Sequence, residues 1–148
     1  MLPLKILVIS LENSKDRKIK VEREMGKTSL EFIEAVDGTR LDMRNVPYHA
    51  KKVKQLLGFE LTPKELGCYL SHMKAWTSCV DNNIATLVFE DDFVVTGLLE
   101  PVLEKLLMEY KDWDIVRLQA LSDSEFDTLK NYHHFKVVKN YGDPLGAT

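Results

Sequence analysis

A chain of 148 residues with 45% hydrophobic and 29% charged residues and a formal net charge of −3 has the make-up of one globular domain with a sizeable core. That balance excludes bulk electrostatic attraction to nucleic acid, and no apolar run reaches the length needed to span a bilayer. A cytoplasmic setting is therefore expected, with contact to a membrane surface at most peripheral. Met1 to Leu11 is apolar but runs into Glu12–Arg17 without a small-residue cleavage site, so it reads as a first core strand rather than a signal peptide.

Leu4 to Leu11 is that strand, and Asn13 or Ser14 then offers a side-chain oxygen to cap a helix through Arg17, Val21 and Met25 that stops near Gly26. Leu30 to Val36 is a second strand, closed by the turn pair Asp37-Gly38. Lys51, Lys52 and Lys54 beside Val53, Leu56 and Leu57 predict a surface helix with a solvated basic face.

Thr62-Pro63-Lys64-Glu65 is a capping box with proline at the first helical position. The helix it opens carries Leu66, Tyr69, Leu70, Met73, Trp76 and Val80 at helical spacing, which predicts that this face packs on the sheet. Gly67 and Ser71 mark another face, open to close approach. Cys68 and Cys79 lie about 16 Å apart along the same helix, too far for a disulfide, and read as reduced packing residues. Cys68 and His72 have the spacing of a zinc pair, but no second pair of matching ligands accompanies them.

Ile84 to Phe89 is an apolar, β-branched run that ends in Glu90-Asp91-Asp92. In an open α/β sheet the carboxyl ends of the strands are where ligands bind, and hard oxygen donors suit Mg²⁺ or Mn²⁺. Glu90, Asp91 and Asp92 are thus the candidate metal ligands, with Glu90 and Asp92 expected on one side and Asp91 on the other. Asp112-Trp113-Asp114 competes for that role, but it precedes its strand and reads as a strand-entry turn around a buried tryptophan. Leu98 to Tyr110 is an amphipathic helix, Ile115 to Gln119 a strand, Ser122 to Asn131 loop-like or short-helical, and Phe135 to Val138 a last strand; His133 and His134 would alternate faces on it.

Four ordered blocks carry a resemblance: Ile9–Arg17, Phe32–Gly38, Leu61–His72 with Trp76, and Leu87–Asp92. Together they resemble glycosyltransferase family 25, which includes bacterial lipooligosaccharide galactosyltransferases and is similar to the procollagen galactosyltransferases. The resemblance implies an α/β, GT-A-like (Rossmann-like) sheet with flanking helices, forming one domain over residues 1–148. It also implies transfer of a hexose, typically galactose from UDP-galactose, to a lipooligosaccharide or other glycan acceptor, with Mn²⁺ or Mg²⁺ on the diphosphate. Carried over block by block, Leu11, Asn13 and Arg17 would hold the nucleotide and Asp37 and Gly38 would edge its pocket. Ser71 and His72 would lie near the diphosphate or donor sugar, and Glu90, Asp91 and Asp92 would hold the metal.

Family members are longer, and Pro144–Thr148 resembles the approach to their second half, so a C-terminal truncation is expected, with an exposed sheet edge that favours homo-oligomers. No catalytic base is assigned. Two rival readings remain: a non-catalytic nucleotide-sugar-binding or interaction domain, and a receiver-like domain. The latter needs an acidic pair after the first strand, where this chain has Glu12-Asn13-Ser14.

Overall fold

A computed structural model describes residues 4–95, 97, 99–110, 112–118 and 126–140. The described residues group into two compact units, one within residues 4–94 and one within residues 95–140. In the first unit β1 (Leu4–Ser10), β2 (Glu31–Glu34) and β3 (Ala85–Glu90) form a parallel sheet in the order β2-β1-β3. This is the expected Rossmann-like α/β arrangement, with α1 (Lys15–Met25) and α3 (Pro63–Asn82) as flanking helices. The chain adds β2 on one side of β1 and then crosses back to add β3 on the other. The strand order therefore reverses between β1 and β3, and the carboxyl ends of strands at such a reversal are where open α/β sheets bind ligands.

Because it is central and covered on both faces, β1 is apolar at successive positions: Leu7, Val8 and Ile9 are all buried. Leu7 and Ile9 join Ala75 of α3 in a cluster with Ile33, Ala35 and Val88 packed against it. Val8 and Ser10 point to the opposite face. There Phe32, in register with Val8, meets the Lys18 ammonium of α1 5.7 Å from its ring centre. Each such buried aliphatic side chain contributes about 1.5–3 kcal/mol.

The capping box forms as expected: the Thr62 hydroxyl accepts from Glu65 N–H, and the Glu65 carboxylate accepts from Thr62 N–H at 2.7 Å. The packing face of α3 differs from expectation. Leu66, Gly67, Ser71 and Ala75 are buried, whereas Tyr69, Met73, Trp76 and Val80 are exposed. Small residues at four-residue spacing let the helix axis approach the sheet more closely than a large apolar face could. A Cβ on Gly67 would lie 2.6 Å from the Val36 carbonyl oxygen, and one on Gly38 would strike the Pro63 carbonyl. The two glycines thus let the single 3₁₀ turn Gly38–Arg40 lie against the first turns of α3. Ser71 completes the seat, donating to Gly67 C=O at 2.7 Å and accepting from Val36 N–H at 2.8 Å.

At the start of α1, Ser14 is the N-cap residue but makes no side-chain cap bond, so the expected hydroxyl or amide cap is not used. Between the sheet elements, α2 (Ala50–Leu57) buries none of its residues, in keeping with a solvated basic face, and ends at the left-handed Gly58.

In the second unit α4 (Leu99–Met108) matches the predicted amphipathic helix. Trp113, half-buried, donates its indole N–H to Tyr110 C=O at 2.7 Å. It therefore closes the exit from α4 rather than leading into a strand. Residues 115–118 are not a strand, and Ile115 and Leu118 are exposed; position 119 lies outside the described residues. Phe126–Asn131, expected as loop or short helix, is β4, paired antiparallel with β5 (Lys136–Asn140). The pairing satisfies backbone groups that an isolated polar segment would leave to water. His133 and His134 fall in the connecting turn, not on the strand, with their rings edge to face at 4.3 Å. Residues 122–125 and the terminal 144–148 lie outside the described residues.

Candidate functional site

The three consecutive acids sit where the sheet reverses order, and the strand separates them. Glu90, the last residue of β3, is in register with Ile9 and so faces the α3 side. Asp91 turns to the other side. It is buried (7% exposed) and accepts from the Ser10 hydroxyl at 2.7 Å and from the Arg17 guanidinium at 2.8 Å. The strand ends there, with Phe93 N–H bonding back to Glu90 C=O at 3.3 Å. Alternation therefore does not continue to Asp92. Rather than rejoining Glu90, the Asp92 carboxylate, 67% exposed, lies 3.8 Å from Arg17.

On the α1 side the turn Leu11–Asn13 links β1 to the helix, with Leu11 C=O accepting from Ser14 N–H and Asn13 C=O from Lys15 N–H. Arg17 adjoins the Asp91 and Asp92 carboxylates, and the turn directly follows Ser10, which bonds Asp91. The bond to Asp91 holds the Arg17 guanidinium pKa above its ordinary value, so the charge is permanent. Ser10 carries no expected role, yet it bridges the two strand tips. A lone hydroxyl closing the apolar run Ile6–Ile9 at a central strand's carboxyl end is the signal that could have found it.

On the α3 side, His72 Nε2 lies 3.2 Å from Glu90 Oε1, and the Cys68 thiol donates to the same oxygen at 3.7 Å. The His72 contact, ahead of the opposing cost of burial, holds the Glu90 carboxyl below its usual range. Burial, with the Glu90 charge second, pushes the Cys68 thiol up to about 11. The meeting follows from dimensions. The fifteen residues from Cys68 to Asn82 span about 22 Å of helix, and the return from Ile84 to Glu90 spans about 20 Å of strand. Both ends finish level.

The remaining expected site residues are placed differently. The Ser71 hydroxyl is buried and bonded to backbone on both sides, so it serves the seating of α3 and is not presented at the strand tips. Asp37 accepts from Thr39 N–H and from its hydroxyl, which together hold its carboxyl low, and it pairs with Arg40 at 3.2 Å. Asp37 and Gly38 thus shape a turn, beside which a depression of about 490 Å³ is lined by Gly38, Thr39, Leu41, Thr62, Pro63 and Lys64. Asp112 and Asp114 belong to the second unit.

Residues 3–143 match the family described as glycosyltransferase family 25 (LPS biosynthesis protein). Procollagen galactosyltransferase 1 of Danio rerio is 31% identical over 125 residues, which covers 75% of this chain and 20% of that protein. Procollagen galactosyltransferase 2 of Homo sapiens is 30% identical, with the same coverage. Inactive glycosyltransferase 25 family member 3 of Homo sapiens is 32% identical over 76% of this chain and 21% of its own length. The chain spans about a fifth of the length of these relatives.

Proposed function

This chain belongs to glycosyltransferase family 25, and we propose that the tips of β1 and β3 bind the diphosphate of a UDP-sugar, UDP-galactose foremost, for hexose transfer to a lipooligosaccharide or other glycan acceptor. The observation that carries the reading is the division of labour between Asp91 and Asp92. Asp91 is held inward by Ser10 and Arg17, and this anchors the turn that presents Asp92 to solvent at the strand tips. An exposed carboxylate is a hard donor suited to Mn²⁺ or Mg²⁺. Asp92 would be the principal ligand of such an ion, with Asp91 or Glu90 able to assist only by giving up part of their present bonding.

A bound divalent cation would offset the charge that develops on the diphosphate as the glycosidic bond breaks. Arg17 supplies a second, fixed positive charge beside the same turn. The Leu11–Asn13 turn would line the nucleotide, and the depression beside Asp37-Gly38 would border its pocket. On this reading the protein works in the cytoplasm, at the inner face of a bacterial inner membrane. The described residues include no helix long and apolar enough to cross a membrane.

A second reading, nucleotide-sugar binding without transfer, is favoured by the inactive human relative, which is as similar to this chain as the galactosyltransferases are. Calorimetric titration of UDP with and without Mn²⁺ tests what the two readings share. Asp92→Asn should abolish the Mn²⁺-dependent gain in affinity, and Asp114→Asn should leave it intact; the reverse result moves the metal to the second unit and overturns the assignment. Release of galactose from UDP-galactose onto water or acceptor then separates the enzyme from the binding domain.

A further inference from the structure

We infer that Cys68, His72 and Glu90 form a binding site for one Zn²⁺ ion, with water or a ligand atom in the fourth position. The sequence supplies the first two ligands at helical spacing and hides the third, which arrives from the end of β3. One sulfur, one nitrogen and one carboxylate oxygen lie within 4.8 Å of one another. A tetrahedral Zn²⁺ with bonds of about 2.3 Å to sulfur and about 2.1 Å to nitrogen and oxygen sets S···O near about 3.6 Å and N···O near about 3.4 Å. The separations here are 3.7 Å and 3.2 Å. The two separations from Glu90 thus match the ion, while the sulfur and nitrogen, within 4.8 Å of each other, close towards about 3.6 Å when it binds.

Ligand chemistry selects the metal. Thiolate and imidazole favour Zn²⁺ over Mn²⁺ or Mg²⁺, which prefer all-oxygen shells. A thiolate and a carboxylate also neutralise the dication, the thiol proton passing to solvent on binding. The cluster is reachable, since the His72 and Glu90 side chains remain 13% and 32% exposed. The rigid elements α3 and β3 hold all three ligands, so little ordering is required. The site meets the donor-site reading only at Glu90: Asp92, the principal ligand there, is not among its ligands, and Asp91 lies on the opposite side of the strand.

Cobalt titration of the reduced, metal-free full chain tests the inference, because Co²⁺ reports both geometry and sulfur ligation. Equimolar Co²⁺ should produce tetrahedral d–d bands and a thiolate-to-cobalt charge-transfer band, both erased by equimolar Zn²⁺. The charge-transfer band should survive Cys79→Ser and vanish in Cys68→Ser. His72→Ala and Glu90→Gln should each weaken Co²⁺ binding more than about 100-fold, since losing even a partner of a ligand commonly costs 10- to 100-fold. No charge-transfer band in the unsubstituted chain overturns the site without reliance on any variant. So does a band that persists in Cys68→Ser, or a weak octahedral spectrum lost only in Asp92→Asn.

Discussion

The two sides of the β1–β3 tip differ in how they treat a carboxylate. On the α1 side Asp91 is buried and satisfied, one oxygen on Ser10 and the other on Arg17, so a negative charge meets a positive one. On the α3 side Glu90 gathers a thiol and an imidazole onto one oxygen, so a negative charge meets two metal-ligating groups instead of a fixed cation. Adjacent residues in the chain thus enter unrelated chemistries, because a strand sends successive side chains to opposite layers. The first arrangement is closed and structural. The second has the composition of a ligand shell.

Breaking the α3 side at its seat should have the largest effect. Gly67→Ala would set a Cβ against the Val36 carbonyl and the Gly38 amide, both backbone atoms. Overpacking of that kind costs about 1–3 kcal/mol, occasionally more, and the rigid neighbours put this variant at the upper end. Urea unfolding should show it, together with loss of the Cys68 and His72 contacts to Glu90. A loss below about 1 kcal/mol would mean that α3 can slide.

Asp91→Ala tests the α1 side. It removes both bonds but leaves Arg17 free to rehydrate, which discounts the ion pair, so about 1–3 kcal/mol is expected. Asp92→Asn beside it should leave the unfolding midpoint nearly unchanged; equal losses in the two variants would erase the distinction between anchor and presented ligand.

The smallest effect is a pH slope. The Cys68 thiol is held up at about 11 in the folded chain, against about 8.5 when unfolded. The folded state therefore keeps a proton that the unfolded state releases, and the thiol's contribution to stability is complete below about pH 8.5 and is lost as pH rises through that window. In metal-free protein, Cys68→Ala should lose melting temperature less steeply than the unsubstituted chain between those limits. Parallel curves would show that the thiol is not shielded as described.

Much of this was legible where local chemistry decides. The apolar run Ile6–Ile9, the Thr62–Glu65 cap and the acids ending β3 each announce their structure, because propensity, capping and alternation act over a few residues. What failed to show depended on a partner distant in sequence. Helical spacing makes Tyr69, Met73, Trp76 and Val80 look like the packing face, but the backbone of Val36 and Gly38 selects the small face of Gly67, Ser71 and Ala75. Ser71 accordingly turns inward. Asp92 escaped the alternation argument because Asp91 and Asp92 form a turn. The polar stretch Phe126–Asn131 became a strand only through pairing with β5.

The glycine-to-backbone contact between the Gly38–Arg40 turn and the start of α3 has a topological consequence. The segment from Leu41 to Leu61 departs and returns at almost one point, and its last amide is tied back within the segment by a bond to the Tyr48 hydroxyl at 3.0 Å. It is a detachable appendage rather than a link in the sheet. Doubling the length of such a closed excursion costs only about 0.6 kcal/mol of chain entropy, so its length and charge can drift without moving the strand tips. The fold can thereby acquire a new rim while keeping one floor.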